Sequence, residues 1–136
     1  MSYTVRMGNG IAGYAHVNVC VTDVERAHDF YANKLGLEVL PRPDFGGFGG
    51  YWFRLGNSQL HLSEVKQMPE WNGAIPHLAV YIPTDEFEPT VEKFKGQGVE
   101  FIMGLRQRED FGKPVLTAFA KDPDGNVIEM TDVPPF

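Results

Sequence analysis

The feature that most constrains this chain is one pattern used twice. Residues 14–22 read YAHVNVCVT, so Ala15, Val17, Val19 and Val21 alternate with Tyr14, His16, Asn18 and Cys20. That period of two predicts a strand with one apolar face and one mixed face. Thr22-Asp23 then supplies an N-cap signal, and Val24, Ala27, Phe30, Tyr31 and Leu35 follow at helical spacing before Gly36. Strands are predicted over 37–40, 51–55 and 59–64, with a turn at Gly56-Asn57 between the last two. The second half repeats the plan. It predicts a strand over 76–83, a helix from Thr84-Asp85 with Phe87, Val91 and Phe94 as its stripe, and strands over 99–103, 115–120 and 127–131. Asp122-Pro-Asp-Gly125 forms the turn before the last strand.

Two β-α-β-β-β modules therefore share one chain of 136 residues: module 1 at about 11–65, a linker at about 66–74, and module 2 at about 75–132. Each module covers one sheet face with its helix and leaves the other face open. The expected fold is α+β, with the two modules forming one cup-shaped mixed sheet and the helices outside. A chain of this length buries enough surface to fold as a single domain without a disulfide, and Cys20 is its only cysteine. A net charge of −6 with scattered basic residues argues against a nucleic-acid partner. No apolar run approaches the roughly 20 residues that span a bilayer, and residues 1–10 lack an apolar signal core. The expectation is a cytoplasmic protein with no membrane partner.

The alternation selects the ionisable residues on the mixed faces. His16 and His77 fall in equivalent first strands, and His61 and Glu129 in equivalent fourth strands. A pseudo-twofold arrangement would direct all four towards one axis. Imidazole and carboxylate donors together suit a divalent ion such as Fe, Mn, Zn, Ni or Co. Trp52 and Arg54 alternate with Tyr51, Phe53 and Leu55, which points them at the cup as substrate contacts, with Arg54 able to pair with a substrate carboxylate or phosphate. A cross-strand ion pair is the other reading of Arg54. Thr117 and Phe119 face the cup by the same parity, and so does Tyr81, as a proton or hydrogen-bond donor or an aromatic wall. Phe45 and Phe48 lie in a Gly-rich loop, 44–50, that reads equally as a lid or as a packed interface loop. His28 falls on the polar side of the first helix, as a solvated surface residue.

These residues resemble the vicinal oxygen chelate superfamily of glyoxalases, extradiol dioxygenases, epimerases and bleomycin resistance proteins. The resemblance rests on HVNVCVTDVERAHDFYANKLGLEV at 16–39, HLAVYIP at 77–83 and DPDGNVIE at 122–129. It implies that His16, His77 and Glu129 bind one metal per site, and that His61 stands where glyoxalase I has a Glu ligand and the epimerase a Gln. It further implies chelation of two neighbouring oxygens of a small substrate, with Glu129 as the proton-moving base. Homodimers, some with modules exchanged between chains, are usual in such a family. The reading that follows is a glyoxalase-like lyase or isomerase. The alternatives are an Fe(II) extradiol-type dioxygenase and a non-catalytic sequestering protein. The extradiol pattern is incomplete, because residues 106–113 contain no His and Phe119 stands where that pattern prefers Tyr.

Overall fold

The computed structural model describes residues 10–135. Module 1 contains β1 (His16–Val21), α1 (Val24–His28), β2 (Val39–Leu40), β3 (Gly50–Leu55) and β4 (Ser58–Glu64). Module 2 contains β5 (His77–Tyr81), α2 (Thr84–Gly96), β6 (Glu100–Arg108), β7 (Val115–Lys121) and β8 (Val127–Thr131). The strands form two four-stranded mixed sheets, in the orders 1-4-3-2 and 5-8-7-6. In each, the first strand runs parallel to the fourth and the other pairings are antiparallel.

Local chemistry explains the elements. The Asp23 carboxylate caps α1 by accepting from the Arg26 N–H at 3.0 Å. After one α-helical turn the backbone widens into a π-helical segment, Asp29–Lys34, where the Leu35 N–H reaches the Phe30 carbonyl five residues back at 2.9 Å. The sequence predicted an ordinary helix here. The wider turn buries the adjacent Phe30 and Tyr31 together. Gly36 then ends the segment at φ +77°, a conformation that costs a glycine little. His28, expected on the surface, is half-buried with its ring 4.4 Å from that of Tyr51. β2 is shorter than predicted. β6 is longer, running on to Arg108 through two irregularities in its pairing with β7.

The apolar faces meet in one core. Val19, Val21, Phe53, Leu60 and Leu62 of sheet one and Ile128 and Met130 of sheet two belong to a single buried cluster, with Phe30, Tyr31, Phe87 and Val91 from the helical segments. A small crevice within it is lined by Leu55 and Leu60 from one module and Leu78 and Val80 from the other. The two β-α-β-β-β modules expected from the sequence are present as two mixed sheets whose helix-side residues share this core. The β1 and β5 edges make no ladder with each other.

The turn at 122–125 fastens the modules together. Buried Asp122 accepts the Tyr31 hydroxyl at 2.8 Å and the backbone N–H groups of Asp124 and Asn126. Asp124 accepts the Thr22 N–H at 3.1 Å and pairs with Arg26 at 3.1 Å. The Asn126 side-chain amide donates to the Cys20 carbonyl at 2.9 Å. Burial and the neighbouring Asp122 charge push the Tyr31 hydroxyl pKa well above its ordinary value.

Candidate metal centre and substrate cleft

The two sheets carry the candidate ligands at matching register. In sheet one His16 stands opposite Gln59, and His61 stands opposite both Asn18 and Trp52. In sheet two His77 stands opposite Val127, and Glu129 opposite both Ala79 and Phe119. The repeat therefore relates His16 to His77, His61 to Glu129 and Trp52 to Phe119, residue for residue. Each module supplies two donor side chains on its mixed face, backed by an aromatic ring on the adjacent strand.

The pair in module 2 is in direct contact as an imidazole–carboxylate pair. His77 Nε2 lies 3.1 Å from Glu129 Oε1. Two donors each about 2.1 Å from one ion, at a right angle, stand about 3 Å apart. His77 Nδ1 lies 3.1 Å from the Ile75 carbonyl, which suits a proton on Nδ1 and leaves Nε2 as the donor. The Phe119 ring is tilted against His77 at 6.1 Å. Tyr81 lies on the same face, half-exposed, opposite Thr131 and one alternate position beyond the Ala79–Glu129 pair.

The pair in module 1 is arranged differently. The exposed His16 ring stacks on buried His61 at 3.9 Å, and His61 stacks on Trp52 at 4.1 Å with the planes 2° apart. His61 Nε2 is held 2.8 Å from Gln59 Oε1. Ring-nitrogen lone pairs lie in the ring plane, so two parallel imidazoles cannot both aim at one ion. In this arrangement His61 is stacked between His16 and Trp52; the sequence had proposed it as a fourth ligand. Burial, then the charges of His16 and Arg42, hold its pKa below the ordinary histidine value.

The two pairs do not converge within one chain. Among the described residues, no three His, Cys, Asp or Glu side chains come close enough to share a metal ion. The sequence left open whether the four residues meet within one chain or between two chains, and within one chain they form two separate pairs. The helix-side residues of both sheets contribute to one shared core.

A cleft of about 470 Å³ covers the module 1 pair, lined by His16, Trp52 and His61 below and by Arg42, Phe45 and Phe48 above. The loop that reads as a lid or an interface loop is thus over the cleft. Its Phe45 and Phe48 rings are parallel at 6.1 Å, and the Arg42 guanidinium stands over both, 5.0 and 5.2 Å from their centroids. Gly50, at the loop's end, permits this closure. A Cβ there would lie 2.3 Å from the Leu62 carbonyl oxygen and 2.9 Å from Arg42 Nε.

Arg54 takes no part in this cleft. Its Nε pairs with Glu38 at 3.1 Å on the outer strands, the cross-strand pairing that the sequence left open. Arg42 is the cleft residue that the sequence reading missed. Its signal was parity: Leu40 stands opposite Trp52, and Arg42 follows two positions on. Thr117, on the mixed face of β7, is buried, and among the described residues its hydroxyl has no hydrogen-bond partner.

Residues 13–130 match the family described as the glyoxalase/bleomycin resistance protein/dioxygenase superfamily, and the chain belongs to it. The chain is 30% identical to the lactoylglutathione lyase of Neisseria meningitidis, over 85% of this chain and 86% of that protein. It is 27% identical to the metallothiol transferase FosB of Staphylococcus haemolyticus, over 88% of this chain and 83% of that protein. A solved glyoxalase family protein from Bacillus anthracis superimposes with a TM-score of 0.72 at 30% identity, covering 92% of this chain and 98% of that one. No helix among the described residues is long and apolar enough to cross a membrane.

Proposed function

We propose that the chain is a divalent-metal-dependent enzyme of glyoxalase-like lyase or isomerase type, acting as a homodimer on a small molecule with two neighbouring oxygens. The observation that carries this reading is the register-matched pair of half-sites, His16 with His61 and His77 with Glu129, kept apart within one chain. A dimer that sets the mixed face of module 1 against that of module 2 from the other protomer completes the set. His77 and Glu129 would then hold the ion together with His16 of the partner subunit, while His61 backs the site by stacking. The β1 and β5 edge strands, which make no ladder with each other, would be the surfaces for such pairing. The relatives' names, a lyase and a metallothiol transferase, support metal-assisted chemistry without selecting the reaction.

When bound, the ion supplies Lewis-acid polarisation of a substrate oxygen. The chain supplies the rest. Glu129 takes a proton from the carbon beside that oxygen and returns it to the neighbouring carbon or oxygen. Tyr81 donates a hydrogen bond to the substrate from the same face. Trp52 and Phe119 wall the site, and the 44–50 loop excludes water.

Complementation tests the arrangement. His16→Ala and His77→Ala chains are each expected to lose metal as homodimers. Unfolded together and refolded, their heterodimers should regain one loaded site, since one unaltered module 1 then meets one unaltered module 2. Heterodimers that form but regain no metal would overturn the composite site. Deuterium exchange at the carbon beside the carbonyl of a 2-hydroxyaldehyde or 2-oxoaldehyde adduct, lost in Glu129→Gln, reads the chemistry.

A further inference from the structure

The arginines of the described residues divide into two groups. Arg26, Arg54 and Arg108 each pair with a carboxylate, at 3.1, 3.1 and 2.5 Å. Arg42 and Arg106 make no ion pair among the described residues. Arg42 donates to the Phe48 carbonyl at 3.2 Å, and Arg106 contacts the Met103 sulfur at 3.2 Å. Among the described residues no carboxylate lines the 470 Å³ cleft that Arg42 lines, so none of its lining side chains neutralises the guanidinium. In a chain of net charge −6, a cation kept free of abundant carboxylates leaves a local positive field.

The repeat adds a second observation. Gly50 of β3 stands opposite Ser63, and Thr117 of β7 stands opposite Thr131, so Gly50 and Thr117 are register equivalents. Arg42 lies over Gly50, with Cζ 3.1 Å from the place a Cβ would occupy. Arg106 stands opposite Thr117. The two unpaired arginines thus occupy equivalent places beside the two half-sites.

We infer that Arg42 binds an anionic oxygen group of the substrate, a carboxylate or a phosphate, and so selects for acidic substrates at this site. The inference rests on the function proposed above and names its substrate class. Phe45 and Phe48 pack against the planar guanidinium, at 5.0 and 5.2 Å from their ring centroids, and one N–H donates to the Phe48 carbonyl, so the remaining N–H groups are the ones to meet an anionic oxygen. Arg42 touches the substrate's charged end, while His16, His77 and Glu129 serve the reacting end.

The experiment uses full-length, metal-free protein titrated by calorimetry with inorganic phosphate and, separately, propionate. At least one anion is expected to bind, about tenfold or more weakly to Arg42→Gln, with partial recovery in Arg42→Lys. The stronger of the two names the source chemistry. Phenylglyoxal labelling of the unaltered protein gives a second measurement: phosphate or propionate should protect Arg42 and leave Arg54 unprotected. Binding of neither anion, or equal affinity in Arg42→Gln with no protection of Arg42, would overturn the assignment. Metal content separates this result from the parent reading. Arg42→Gln should load metal as the unaltered chain does, whereas a chain that never loads metal defeats the metal site and leaves the anion result standing.

Discussion

His77 and Glu129, 52 residues apart in sequence, place an imidazole nitrogen and a carboxylate oxygen 3.1 Å from each other on neighbouring positions of two parallel strands. That separation matches two ligands of one small divalent ion. Glu129→Gln keeps the shape and removes the charge. It should lower metal affinity by at least about tenfold, the scale at which even outer partners of metal ligands act. Metal titration of the apoprotein measures this.

His61 makes a different prediction. In the stack its role is to support His16, so His61→Phe should retain metal, whereas His16→Ala should not. Retention of metal in both, or loss in both, would contradict the stacked arrangement. His61 also couples stability to pH. Its folded pKa lies below the unfolded value, so its contribution is present above about pH 6.5 and is lost as pH falls through the lower folded value. Urea midpoints of the metal-free protein should therefore drop on acidification below about pH 6.5. His61→Phe should flatten that part of the profile.

The latch between the modules is testable through stability. Tyr31→Phe removes one hydrogen bond to a buried carboxylate that keeps three others. The cost should be about 1–2 kcal/mol. Asp124→Ala removes its bonds to Thr22 and Arg26 and should cost about as much. Its further signature is increased amide exchange at the start of α1, the element that Asp124 holds against module 2.

Thr117 predicts the opposite sign. Its hydroxyl is buried with no hydrogen-bond partner among the described residues, and Val has nearly the same shape. Thr117→Val should raise stability by up to about 1 kcal/mol by removing an unpaid desolvation cost. A thermal melt that falls instead would show that a partner is present in solution.

Much of the fold was legible because alternation and helical spacing are local. The parity of YAHVNVCVT put His16 on the mixed face, and the same parity placed His77, His61 and Glu129. Gly36 marked the end of the first helical segment by its freedom at positive φ. The π-helical widening at 29–34 left no such mark, because it answers to the packing of Phe30 and Tyr31 in the core. Arg54 and Arg42 show the same divide at the site. Both lie on the cup side by parity, yet Glu38 beside Arg54 ties it to the outer strands, while the Phe45–Phe48 pair holds Arg42 over the cleft. Parity gives a side chain's face but not its partner.

The sequence by itself determined that this chain repeats one module, which strands carry the candidate ligands His16, His61, His77 and Glu129, and which face of each strand they occupy. Those facts follow from the two-residue period of a strand and from the repeat. The tertiary structure decided that the apolar faces of both modules share one core. Among the described residues it leaves His16 with His61 and His77 with Glu129 as two pairs, with no three such side chains grouped for one ion. It also decided that the turn at Asp122 to Gly125 serves as the fastening between modules, since its carboxylates find Tyr31, Thr22 and Arg26 only after the chain has folded.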